Sequence, residues 1–459
     1  MSVIQNALTG ALAAQTALNT ASQNIANVMT PGYTRQGVVI ASVQARESGV
    51  LTAGNGVKVS SLIRFSDGYK SLQMWQAHAS LGQYSTAQPY LTQLEQVMGD
   101  DSSNINSGLD AFFSALNAAS VEPTSSPLRQ QVITAADALA QRFNSLNTVL
   151  SNQRAAVNQQ RGSTVTQING LSSAIGELNR KIAASQATGV NASGLIDERD
   201  QKIDTLSSLV GVQVVDQPDG TRSVSLRGGQ PLVVGSVAST MTAQTNPDGS
   251  QTLKLSFASD TFALISTNMG GQLGGLDDHE RNTLVPLMTS MTEMAGQIAS
   301  TVNATLATGY AIDGTPGTPL FEYDATSATS MLKVRAGITA QELGFSSDAT
   351  LPGNSDKLLA LINLKDQSIT VGTLGSVRMG DAYTQLVGNL AMQSQQNQAS
   401  MSTSQTVRDQ AVESWKSTSG VNTDEEAINL MQYQQMYQAN MKVLSVANEL
   451  FDSTLAMIR

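Results

Sequence analysis

The sequence predicts a mainly α-helical fold with β insertions: terminal coiled-coil helices, an elongated helical rod domain and inserted β-rich domains. Three observations carry this reading. Apolar and small residues recur at four-then-three spacing at both ends of the chain, the pattern of a helix laid along another helix. A long interior stretch keeps helical period with few breaks. Between residues 211 and 269 the period changes to alternation, and Asp-Gly pairs supply hairpin turn chemistry.

The terminal stripes come first. Ile4, Leu8, Ala11, Gln15, Leu18, Ser22 and Ile25 form one; Leu430, Gln434, Tyr437, Met441, Leu444, Asn448, Phe451, Leu455 and Ile458 form the other. Stripes at both ends predict that the termini meet, so residues 1–35 and 421–459 are read as one assembly domain and these residues as its interface. No charged side chain precedes Arg35. The wet face of the first helix is instead Asn6, Thr9, Thr16, Asn19, Thr20 and Gln23. Uncharged polar groups are cheaper to bury than charges, which predicts a helix that is surrounded once subunits assemble.

Both helices have readable limits. Ser2 with Gln5, and Thr423 with Glu426, fit the capping box. Asp424, Glu425 and Glu426 place negative charge at the positive end of the last helix. Thr30-Pro31-Gly32-Tyr33 should end the first helix in a turn.

Residues 36–66 read as an extended linker, with short β-rich runs (Val38-Val39-Ile40 and Val57-Lys58-Val59) set apart by Gly49, Gly54 and Gly56. The helical rod is assigned to 67–210, 270–310 and 375–420. Within it, Asp67 to Met98 has helical period, with Pro89 expected to interrupt or bend the helix. Leu109 to Ala119 follows. The longest signal runs from Leu128 to Ala184 and holds an inner seam at Val157, Arg161, Thr164, Ile168, Leu171, Ile175, Leu178 and Ile182. Gly162, Gly170 and Gly176 each weaken it by up to ~1 kcal/mol relative to Ala. Strands are expected at Val212–Val215, Val224–Leu226, Leu232–Val234 and Leu253–Phe257, with turns at Asp219-Gly220 and Asp248-Gly249. Helix returns from Asp277 to Leu306. A second, mixed insertion covers 311–374, opening with a Gly/Pro-rich stretch. Helix resumes from Val377 to Lys416.

Composition narrows the function classes. A net charge of −10 argues against nonspecific nucleic-acid binding, which needs basic surface. No apolar run approaches the ~20 residues of a membrane span, and the N-terminus lacks a cleavable leader pattern. There is no cysteine, hence no disulfide or thiolate metal site. His78 and His279 are the only histidines, and no metalloprotease or phosphate-loop motif occurs. In Asp277-Asp278-His279-Glu280, adjacent helical residues point different ways, so an acidic helix start is expected. Asp197-Glu198-Arg199-Asp200 reads as a paired, solvated helix face. Gly270-Gly271 and Gly274-Gly275 read as a flexible joint. No catalytic, cofactor or metal residues are expected, and the chain is not read as an enzyme.

Two short passages carry a family resemblance. Asn24-Ile25-Ala26-Asn27 followed by Thr30-Pro31-Gly32-Tyr33 resembles the N-terminal signature of bacterial flagellar axial proteins, the rod, hook and hook-associated proteins. Ser419-Gly420-Val421-Asn422, with Asp424-Glu425-Glu426 and then Tyr433-Gln434-Gln435 and Tyr437-Gln438-Ala439, resembles their C-terminal signature. Glu122-Pro123-Thr124 through Arg129, and Asp197 to Asp200, are also similar. The Ser-Gly-Val-Asn and Asp-Glu-Glu wording is closer to members at the hook–filament junction than to rods or hooks. The resemblance implies a structural junction subunit of the flagellum, secreted to the cell exterior by flagellar type III export and polymerised through its terminal helices. Implied partners are further copies of itself, the hook protein, the second hook–filament junction protein, and the filament cap or flagellin during assembly. It also implies a cytoplasmic export chaperone covering Tyr437, Met441, Leu444 and Phe451. The alternatives are a hook or other axial subunit, or a secreted effector that keeps flagellar-type ends.

Overall fold

A computed structural model describes residues 2–44, 54–264 and 269–458. Gly49 lies outside the described residues, as do the side chains of Ser2 and Ile458. The fold class read from the sequence is the observed one. Helix α1 (Ser2–Ala26) leads into the antiparallel ribbon β1 (Gln36–Ser42) and β2 (Val57–Arg64). The stretch read as a linker is thus hydrogen-bonded to itself. Helices α2 (Gly68–Gly99), α3 (Ile105–Val121), α4 (Ser126–Ala187) and α5 (Ser193–Leu209) follow.

Strands β3 (Val212–Asp216), β4 (Arg222–Leu226), β5 (Pro231–Val234) and β6 (Val237–Ala238) form a four-stranded antiparallel sheet in chain order. A three-stranded sheet contains β7 (Thr240–Thr245), β8 (Gln251–Phe257) and β9 (Asp260–Ala263). Helix α6 (Gly271–His279) runs through a π turn (Glu280–Leu284) into α7 (Val285–Ala307). Two hairpins follow, β10 (Phe321–Tyr323) with β11 (Leu332–Val334), and β12 (Ser368–Val371) with β13 (Gly375–Arg378). They flank α8 (Asp356–Asn363). Helices α9 (Met379–Ser419) and α10 (Thr423–Ile458) close the chain.

The long α4, about 93 Å at ~1.5 Å per residue, organises two cores. At one end Phe112, Phe143, Met291, Met294, Phe345 and Tyr383 pack together. Leu320, Phe321 and Leu332 of the second insertion belong to this same core. Arg129 fastens it: the fully buried guanidinium donates from Nε to Pro123 O (2.6 Å) and from Nη1 to Ala340 O (3.0 Å) and Leu343 O (2.8 Å). It lies 4.5 Å from the Phe345 ring, and burial pushes its pKa down to about 10. At the other end Trp75, Ile168, Ile175, Leu206, Val224 and Leu255 join α4 and α5 to the β insertion.

Four expectations need correction. Pro89 sits inside an uninterrupted α2; helical neighbours on both sides carry the chain through one missing donor. Gly274 and Gly275 are helical and buried, not a loose joint. A Cβ on Gly275 would collide with the Gln83 carbonyl, so Gly275 lets α6 approach α2 closely. The Asp277–Glu280 run is not a helix start, because α6 begins at Gly271. Finally, Asp197 and Arg199 are buried rather than solvated.

Candidate assembly interface

Helices α1 and α10 pack antiparallel. Val3 and Ile4 share a groove with Val446 and Leu450, while Gly10 lies against the side chain of Asn440. The residues that α1 buries include Ala7, Gly10, Ala14, Ala17, Ala21 and Asn24. The residues α10 half-buries include Tyr433, Met436, Asn440, Leu444 and Ala447. Both sets sit largely one residue N-terminal to the stripes expected from the sequence, a rotation of roughly 100°. The physical reason is size. Glycine and alanine let two backbones approach, and the bulkier stripe is displaced sideways.

The expected interface therefore divides. On α1, Ala11 is buried, Ile4, Leu18 and Ile25 are half-buried, and Leu8, Gln15 and Ser22 are exposed. On α10, Leu430, Tyr437 and Leu444 are half-buried, whereas Gln434, Met441, Asn448, Phe451 and Leu455 are exposed. Leu12, Ile428, Met431, Val443, Val446, Leu450 and Met457 add further exposed apolar surface. A groove of about 660 Å³ opens between Val3, Ile4 and the 439–454 stretch of α10. The single chain leaves this area uncovered, far more than isolated surface leucines would explain.

The base of the helix pair is fixed by the two signature passages, which meet. Asn24 Oδ1 accepts from Tyr33 Oη (2.8 Å) and Gln36 N (3.0 Å), and its Nδ2 donates to Gln36 O (2.8 Å). Thr30 Oγ1 bonds Asn27 Oδ1 at 3.1 Å, and Gly32 has φ +77°, the left-handed turn geometry that favours glycine. Arg35 N donates to Ser419 O (2.8 Å). Its guanidinium reaches Glu425 (2.6 Å) and buried Glu426 (2.7 Å) and stacks on Phe65. Asn422, not Thr423, caps α10, accepting from Asp424 N at 3.0 Å. Thr423 is already helical, and Glu426 is committed to Arg35. Burial, with Asp197 and Glu426 nearby, pushes the Tyr33 phenol up to about 12.

One buried carboxylate joins this base to the rod. Asp197 of α5 accepts from Thr34 N (3.2 Å) and pairs with Arg64 of β2 (2.5 Å). Burial holds its pKa above the usual carboxylate range despite Arg64. Arg64 also meets Asp200, which binds Arg222 of β4 at 2.5 Å, and Arg222 lies over Trp75. A second cluster sits at the π turn. Glu280, buried, takes Arg161 (2.5 Å) and Arg154 (3.0 Å), and Arg154 also donates to Asp248 O at the tip between β7 and β8. His279 stacks on Tyr90, and burial drives its pKa down to about 4. Sequence reasoning missed both clusters; their one signal was runs of charge in a chain only 14% charged. Among the described residues, no group of His, Asp or Glu is placed to hold a metal, and no helix is long and apolar enough to cross a membrane.

Comparison with known proteins decides the family. The family described as "Flagellar hook-associated protein FlgK helical domain" matches residues 91–321, just over half of the chain. The chain belongs to the FlgK family of flagellar hook-associated proteins. Its ends match two further flagellar families, "Flagella basal body rod protein" over 4–34 and "Flagellar basal body rod FlgEFG protein C-terminal" over 417–457. Both flagellar axial signature passages lie within these matched segments. The chain is 28% identical to flagellar hook-associated protein 1 of Salmonella typhimurium, over 99% of both chains. It is 28% identical to the Escherichia coli K12 protein of that name, again over 99% of both, and 26% identical to the Bacillus subtilis 168 one, over 96% of this chain and 95% of that one. The Salmonella alignment spans 554 positions, so that relative carries internal segments absent here. The fold resembles the flagellar hook junction protein FlgK of Burkholderia pseudomallei, with a TM-score of 0.66, 18% identity, and 76% of this chain and all of that one covered.

Proposed function

We propose that the chain is a structural subunit of the junction between flagellar hook and filament, and that it polymerises through α1 and α10. The observation that carries this reading is the helix pair itself: small residues close it internally, while a broad apolar surface on both helices stays uncovered. Burial at ~25 cal/mol per Å² makes such a surface a source of association energy. The Arg35–Glu425/Glu426 and Arg64–Asp197 contacts hold the pair on the rod so that this surface is presented in one orientation. Family membership and the relatives' names supply the flagellar setting. The proposed assembly contacts are Leu8 and Leu18 on α1, and Leu430, Tyr437, Met441, Leu444, Phe451 and Leu455 on α10.

Under this reading the protein is secreted through the flagellar export route and contacts the hook on one side and the second junction protein on the other. Before export, a chaperone covering Tyr437, Met441, Leu444 and Phe451 would shield the stripe from aggregation. The role is structural rather than enzymatic. A hook subunit is the nearest alternative; the match over the FlgK helical domain disfavours it.

Electron microscopy of a strain deleted for this gene tests the proposal. Hooks of normal length without attached filaments, restored by the gene in trans, are expected. Filaments attached normally in the deletion strain would exclude a junction role.

A further inference from the structure

We propose that the terminal helices are a site of reversible methionine oxidation, which switches off assembly and leaves the fold intact. The chain has no cysteine, so the thioether is its side chain most readily taken by a two-electron oxidant. Met98, Met291, Met294, Met331 and Met379 are sealed in the core at 0% exposure. Among the described residues, the exposed methionines are Met29, Met392, Met431, Met441 and Met457. All but Met392 belong to the terminal segments. Met29 is 88% exposed just past α1; Met431, Met441 and Met457 are 55%, 40% and 78% exposed along α10.

Hydrogen peroxide reaching the free subunit meets these four before any core thioether. The sulfur lone pair attacks one peroxide oxygen and the O–O bond breaks. The S–O bond of the sulfoxide forms, and the other oxygen leaves as water once protonated. Sulfur loses two electrons and the peroxide gains them. The product is polar and accepts hydrogen bonds, so it disrupts an apolar contact packed against it. In the free chain all four sulfoxides stay in water and the cores are untouched. The loss therefore falls on assembly alone. This rests on the proposal that the α10 surface is an assembly contact.

The test treats purified full-length chain with dilute hydrogen peroxide, then adds it to hook particles from the deletion strain and measures co-sedimentation. Peptide mass spectrometry should show one added oxygen at Met29, Met431, Met441 and Met457 ahead of the core methionines. The melting curve should be unchanged, and co-sedimentation lost. Methionine sulfoxide reductases of both stereochemical types should restore it. A Met392→Leu chain, altered only at the exposed methionine outside the terminal segments, should still lose co-sedimentation after peroxide; if it keeps co-sedimenting, the loss belongs to Met392 and the inference fails. Oxygen appearing first in the core, or fully oxidised chain co-sedimenting like untreated chain, would overturn the inference. Leu455→Asp separates the two claims. If it co-sediments normally, the assembly reading itself fails; if it does not while oxidised chain does, only the oxidation inference fails.

Discussion

Arg64 of β2 and Asp197 of α5 meet at 2.5 Å, nearly out of water, where the terminal helices join the rod. Each is about a tenth exposed, so neither can be released to solvent without moving the two parts of the molecule relative to each other.

Removing one partner should be unequal. Arg64→Met strands a buried carboxylate and should destabilise by about 3 kcal/mol. Asp197→Asn keeps the shape and leaves Arg64 with Asp200, so its effect should be smaller. Because the folded pKa of Asp197 is raised, the folded chain binds that proton more tightly. Its contribution favours folding at low pH and is withdrawn as pH rises from the ordinary carboxylate range through the raised value. The deficit of Arg64→Met should therefore shrink on acidification through that window, as measured by urea melts across pH.

His279 gives the opposite slope. Its folded pKa is lowered to about 4 by burial, so the neutral ring belongs to the folded state. The stability it supplies is complete above the unfolded value of ~6.5 and is lost as pH falls towards 4. Thermal melts should show uptake of about one proton on unfolding in that window, and His279→Phe should remove it.

Glycines supply a matched pair. Gly162 faces open space within α4, so Gly162→Ala should stabilise by up to ~1 kcal/mol. Gly275→Ala would push α6 off the Gln83 carbonyl and should destabilise by about 1–3 kcal/mol. Equal effects in chemical denaturation would contradict this packing.

Much of this fold was legible from periodicity. The 62-residue α4 emerges from its spacing, and the Asp219-Gly220 and Asp248-Gly249 turns stand between paired strands. What escaped the sequence was direction. Leu8 and Leu430 mark a stripe by size, whereas Gly10 lies against Asn440 and Ala14 and Ala17 are buried because they are small. Periodicity scores the large residues and so points about 100° away. Charge misled in the same manner. Asp197 and Glu280 look like wet helix positions, and only partners far along the chain, Arg64 and Arg161, make their burial possible. From sequence, Pro89 is expected to interrupt or bend its helix and Gly275 to form part of a flexible joint, yet α2 runs on through Pro89 and Gly275 is helical and packed against α2.

The most direct test of the central claim is Leu455→Asp, expressed from the deletion strain and scored by electron microscopy beside a melting curve of the purified protein. Leu455 is half exposed, so the charge is harmless in the free chain. In a closed apolar contact it would be an unpaired carboxylate, a penalty of several kcal/mol. The account predicts normal export, an unchanged melt, and hooks bearing no filaments. Normal filaments on Leu455→Asp cells would show that the outer face of α10 is not the contact that builds the junction.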